Sequence, residues 1–140
     1  RADLHGADLH GADLRGANMS GANMSGAKNV PQYVEAVTSV PPEEGAFVAF
    51  KKCREGVVKL QIPESAKRSS ATTRKCRASE AVVLELPPGC YTAHSLCDEG
   101  FVYRVGTVVK PDRWEECRWE ECGGGIHFFM TRAEAEEFSM

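Results

Sequence analysis

The residues best equipped for chemistry lie in the second half of the chain. Between Lys67 and Arg77 run five cations, Lys67, Arg68, Arg74, Lys75 and Arg77. Four hydroxyls, Ser69, Ser70, Thr72 and Thr73, stand among them, with no carboxylate. Such a segment can grip a phosphate or another anion through charge-assisted bonds, and can hold a nucleic-acid backbone weakly. No aromatic residue alternates with these charges, which argues against stacking on single strands. The plainer reading, which we favour, is a solvated loop and strand edge whose Lys and Arg deter edge-to-edge pairing.

A second group is Cys117, Cys122 and His127, at successive spacings of five. Zinc takes Cys and His at short spacings, but no Cys-x2-Cys pair accompanies them, and we assign no metal and no cofactor. Cys122 and His127 also have the types of a nucleophile and its base, yet no orienting Asn or Asp can be named beside them, so no catalytic residue is assigned. The pentamer RWEEC is written twice, at 113–117 and 118–122. Its two Trp read as core or interface anchors. Its four Glu form an acidic face able to pair with the basic segment of the same or a neighbouring chain. Gly123, Gly124 and Gly125 follow, which lets the backbone turn sharply or approach something closely.

The elements that must position these groups are mostly strands. Phe47–Phe50 and Val57–Ile62 form a hairpin across the link Lys51–Gly56. Further strands are expected at Ala81–Leu86, at Phe101–Val109 and at Ile126–Met130. In the second of these Phe101, Tyr103, Val105 and Thr107 share one face. Thr131 with Glu134 three residues on is a capping box, so a short helix closes the chain. Upstream, Asn29–Gly45 is a connector. Tyr33, Val34, Ala36 and Val37 can make a helical turn there that packs as a cap onto the end of the stretch before it, stopped by Pro41-Pro42.

Ahead of the connector, Ala2 to Lys28 obeys a period of five. Ala opens each unit, Asp or Asn follows, Leu or Met stands third and Gly fifth. A helix repeats every 3.6 residues and a strand every 2, so a beat of five fits neither. It fits a chain that turns one corner per unit, with Gly and Asp or Asn at the corner. The inward set is then Ala2, Leu4, Ala7, Leu9, Ala12, Leu14, Ala17, Met19, Ala22 and Met24. This stretch resembles the pentapeptide-repeat family, motif A(D/N)LXX, which implies a right-handed, four-sided β-helix with four units per coil. Only about one and a half coils are present. A solenoid this short needs a cap, a stacked copy or more repeats upstream. The chain opens at Arg1 in mid-pattern, which points to truncation or processing.

Two further resemblances concern the remainder. AKRSSATTRKCRAS, FVYRVG and the run Cys122 to Phe138 look like an uncharacterised domain attached to pentapeptide repeats in phage and bacterial proteins. That resemblance covers about Phe47 to Phe138 and carries over no activity; the doubled RWEEC departs from the single copy it implies. GGGIHFF with the following Ala and Phe is also similar to the strand–helix segment of ADP-ribosyltransferases. That implies a nucleotide site at Tyr103, Arg104 and His127. The catalytic Glu of those enzymes has no counterpart on a later strand.

Composition narrows the choice. The chain has 140 residues, 42% apolar and 26% charged, as globular chains do. Its net charge of −3 names no partner. No apolar run is long enough for a bilayer, and no leader pattern is visible. Some pentapeptide-repeat proteins mimic DNA, but this stretch is short and balances Arg1, Arg15 and Lys28 against Asp3, Asp8 and Asp13. Six cysteines allow a disulfide set, though reduced thiols are favoured without signs of secretion.

The fold expected is mainly β. A pentapeptide β-helix over 1–30 and a cap or linker over 31–45 precede a β-rich α+β domain with a C-terminal helix over 46–140. The expected role is a non-enzymatic structural or interaction protein. Its partner would be itself, as a homo-oligomer, or a capsid or tail protein, in a virion or the cytoplasm, with nucleic acid disfavoured and no membrane. The alternatives are a nucleotide-handling enzyme and a weak binder of anions or nucleic acid through 67–77.

Overall fold

A computed structural model describes residues 2–138. Each repeat unit makes one corner. The N–H of Ala7, Ala12, Ala17, Ala22 and Ala27 returns to the Leu or Met carbonyl three residues back at 2.9–3.0 Å. The Gly before it takes a left-handed φ, from 69° at Gly6 to 81° at Gly16, as the third residue of a type II turn must. The Asp or Asn of every unit accepts the N–H two residues on at 3.0–3.1 Å. The corner thus dictates both the Gly and the Asp or Asn of the repeat. Parallel bridges Asp3–Asn23 and Asp8–Lys28 close the coil after four units.

Inside the coil Leu9, Met19, Ala22 and Met24 are buried, while Leu4, Ala7, Ala12 and Leu14 are half-buried. Ala2 and Ala17, which the repeat pattern sends inward, are exposed. The chain leaves the coil after Lys28, so no repeat unit stands over Ala17. Helix α1 (Gln32–Thr38) follows and buries Val34.

Most of the remainder is strand. β1 (Phe47–Cys53), β2 (Gly56–Ile62), β5 (Ala81–Glu85) and β8 (Val108–Val109) form one antiparallel sheet in that order. β3 (Arg68–Ser70), β4 (Cys76–Ala78) and β9 (Ile126–Phe128) form a second. β6 (Ala93–His94) and β7 (Val102–Tyr103) form a pair. The outer edge of β1 is taken by Phe129 and Ser95 through bridges to Phe50 and Cys53. Ala49, Cys53, Val58, Leu60 and Ile62 alternate along the hairpin and enter the core with Val83, Tyr103 and Phe128. Helix α2 (Arg132–Glu137) is capped as expected: the Thr131 hydroxyl accepts from the Glu134 N–H at 3.2 Å and donates to its carboxylate at 2.8 Å.

Three expectations need correction. The hairpin link is shorter than Lys51–Gly56, because β1 runs on to pair Cys53 with Gly56. The strand expected over Phe101–Val109 is broken into β7 and β8. Gly106, at a φ of 82°, and a bond from Thr107 N–H to Arg104 C=O turn the chain there. Tyr103 is consequently buried and Val105 is 59% exposed, so they share no face. Finally, the basic segment holds an edge strand, as expected, but is only partly solvated. It is the β3–β4 hairpin, whose residues Ser70, Ala71, Thr72, Cys76, Arg77 and Ala78 are buried.

Candidate functional site

The junction between coil and head is the most constructed place in the molecule. Within the coil, the N–H groups of Leu4 and Leu9 donate to the carbonyls of Asn23 and Lys28, nineteen residues on, at 2.8 Å. Leu14 has no second-turn carbonyl above it. Its N–H donates to the hydroxyl of Tyr33, again nineteen residues on. Gly6 donates to Ser25 at the same spacing, whereas Gly21 donates to the Thr72 carbonyl at 2.9 Å. Ala2 and Ala7 carbonyls accept from Asn23 and Lys28, whereas the Ala22 carbonyl accepts from the Thr72 hydroxyl. Two side chains and one backbone carbonyl of the head and connector thus stand in for the missing turn and leave none of these three groups unpaired.

Apolar packing follows the same line. Val34, Ala71 and Trp119 join Leu9, Met19, Ala22 and Met24 in one buried cluster. The second RWEEC copy makes this joint. The Arg118 guanidinium lies 4.3 Å from the Trp119 ring. It donates to the carbonyls of Ser70 (3.0 Å) and Glu35 (2.9 Å) and to the Thr38 hydroxyl (2.8 Å). Glu120 accepts from the Ser25 hydroxyl of the coil at 2.7 Å.

The first copy faces the head. Its Trp114 lies 4.9 Å from the Arg77 guanidinium. Arg77 is 2% exposed and donates to the carbonyls of Glu115 (3.0 Å), Gly124 (2.9 Å) and Cys117 (2.9 Å). The glycines serve this packing. A Cβ on Gly124 would lie 2.3 Å from the Arg113 carbonyl oxygen, and one on Gly123 2.7 Å from the Glu115 Cβ.

The structure does not gather the five cations of 67–77 into one patch. Lys67 pairs with Glu116 and Arg74 with Glu134. Arg68 donates to the carbonyls of Pro63, Ala66 and Gly45. Arg77 is spent inside. Lys67 and Arg68, with Ser69 and Ser70, line one cleft beside α1, and Lys75 turns into another, with its ammonium 5.3 Å from the Phe138 ring.

That cleft, about 580 Å³, lies between β1, the 95–103 and 111–113 segments and the glycine run. It brings together Tyr103 and His127 of the nucleotide reading; Arg104 is exposed and does not line it. Tyr103 is buried with its ring 5.2 Å from Phe101, and burial pushes its hydroxyl above the usual range. Burial pushes His127 down to about 4. The ring is therefore neutral at pH 7, with Nε2 donating to the Gly123 carbonyl at 3.0 Å. Among the described residues no three His, Cys, Asp or Glu stand close enough to hold a metal ion, so Cys117, Cys122 and His127 are not assembled. Cys53 and Cys76, raised by burial to about 11 and about 12, are inert thiols.

Sequence reasoning placed Tyr33 in a turn that caps the coil, and missed Thr72, Arg77 and Arg118 as polar joints. For Arg118 the doubled RWEEC was the available signal, since two copies of a sequence can serve two faces. No helix among the described residues is long and apolar enough to cross a membrane. A family model described as "Family of unknown function (DUF5758)" matches residues 37–135. A model of pentapeptide repeats matches residues 1–28. No curated protein and no solved structure matches the chain.

Proposed function

We propose that this chain, which belongs to the DUF5758 family of unknown function, is a non-enzymatic interaction protein in which a pentapeptide coil docks and the β-rich domain is carried as a head. The observation that carries this is the sealed rim. Tyr33, Thr72 and Trp119 close the coil on the side of the head. The coil is thereby a rigid extension of the head rather than a tether. Its opposite rim presents the Asp3 and Asp8 backbone groups equivalent to those that Asn23 and Lys28 use in the ladder. A second pentapeptide coil has the matching ladder and the matching five-residue beat.

The partner we assign first is another copy of this chain. A capsid or tail protein bearing such a coil is the finer form of the same reading. It rests on the phage associations of the domain that the sequence resembles, and places the protein in a virion. Light scattering over rising concentration tests the docking. The parent chain is expected to form a defined oligomer, and Leu4→Arg, at the presenting rim, to return it to a monomer. A parent that stays monomeric throughout, indistinguishable from the variant, contradicts self-docking. Mass spectrometry of purified particles tests the virion assignment.

A further inference from the structure

The cleft beside the glycine run has a chemistry that docking does not use. Four cations line it, Lys51, Lys52, Lys75 and Arg113, and its wall is mainly apolar. Among the described residues its carboxylates are Asp98 and Asp112, both exposed, as is Arg113. Among the described residues none of the four cations makes an ion pair. Lys52 donates to the Glu136 carbonyl at 2.9 Å. Lys51 donates to the His127 carbonyl at 3.0 Å, and Lys75 rests on the Phe138 ring.

A desolvated ammonium is costly unless a counter-charge meets it. Lys51 carries that cost: burial lowers its pKa, Cys53 and Cys97 offset this only in part, and the nearby Lys75 lowers it further. One carbonyl does not neutralise it. His127 stays neutral and supplies no negative charge. The arrangement is a positive floor under aromatic walls, in a volume within the roughly 300–1,000 Å³ usual for small-molecule sites.

We infer that this cleft binds a small, flat, apolar anion of the aromatic carboxylate class, its carboxylate against Lys51 and Lys75 and its ring among Phe101, Tyr103 and Phe138. A bare phosphate fits less well, because it would leave the apolar walls of the cleft uncovered. The inference is independent of the docking reading, and either can fail alone.

The test is a charge series on one ring system: 1-naphthoate, neutral 1-naphthalenemethanol and cationic 1-naphthylmethylammonium. Each is titrated into the whole isotopically labelled chain and followed by amide shifts. The naphthoate is expected to bind roughly tenfold or more tightly than the neutral compound, the preference of a charge-assisted bond. It should shift the amides of Gly123, Gly124 and Phe101. Lys51→Met keeps the stem and removes the charge, and should abolish the preference. Lys75→Gln should weaken it and serves as the reading if Lys51→Met does not fold. Equal binding of all three compounds, no binding at millimolar concentration, or a preference unchanged in the folded variants would overturn the inference.

Discussion

The hydroxyl of Tyr33 accepts the N–H of Leu14, at the nineteen-residue spacing at which Asn23 and Lys28 present their carbonyls to Leu4 and Leu9. A side chain therefore occupies the place of the next turn's backbone. Helix α1, which carries Tyr33, is what the sequence offers once the five-residue beat stops at Lys28. Chain termination of a β-helix and helix formation are here one event.

Tyr33→Phe removes that acceptor and leaves the ring in place. The variant is expected to lose about 1 kcal/mol, the low end of the cost of leaving a donor unmet, since Leu14 is half-buried. Denaturant titration measures the loss. A loss near zero would mean that water satisfies Leu14 instead.

The two tryptophans of the doubled pentamer should behave differently. Trp119 belongs to the coil cluster and Trp114 to Arg77. Trp119→Ala should cost about 3–5 kcal/mol and release the coil while the head persists. Trp114→Ala should loosen the 113–125 segment first. Site-resolved hydrogen exchange separates the two, and identical patterns would refute the division of labour.

Arg77 supplies a planar fork to three carbonyls. Lysine has the charge and lacks the fork. Arg77→Lys is expected to lose about 2–4 kcal/mol, since carbonyls that met a charged donor are left unpaired. A melting temperature unchanged by the substitution would contradict this role.

His127 gives a pH dependence with a definite sign. Its folded pKa, about 4, lies below its unfolded value near 6.5. Between these the unfolded chain binds the proton and the folded chain does not. Stability therefore rises with pH across the window and falls as pH drops from 6.5 to 4. His127→Gln keeps a donor for the Gly123 carbonyl and does not titrate. It should flatten this slope in denaturant midpoints taken from pH 4 to 7. A slope identical in both proteins would assign it to other groups.

The coil was legible because its constraint is local. A left-handed Gly and an Asx turn recur within five residues, so the pattern is written in the chain itself. The hairpin and the capped helix α2 were legible for the same reason. The break at Gly106 was missed because Val105 and Thr107 continue an alternating pattern, while the turn is held by Val83 across the sheet. The basic segment misled most. Charge on Arg77 reads as solvent exposure, and only the distant carbonyls of Glu115, Cys117 and Gly124 make burial affordable. The cleft joins Lys51 to Lys75 and His127 through long-range pairing that no local spacing encodes.

The central claim is that the head completes the coil. Native-state hydrogen exchange of the whole chain tests it most directly, at the Leu14 and Gly21 amides. These are expected to be protected like Leu4 and Leu9, and to lose protection together in Trp119→Ala. Fast exchange at Leu14 and Gly21 in the parent chain, while β1 and β2 remain protected, would contradict it.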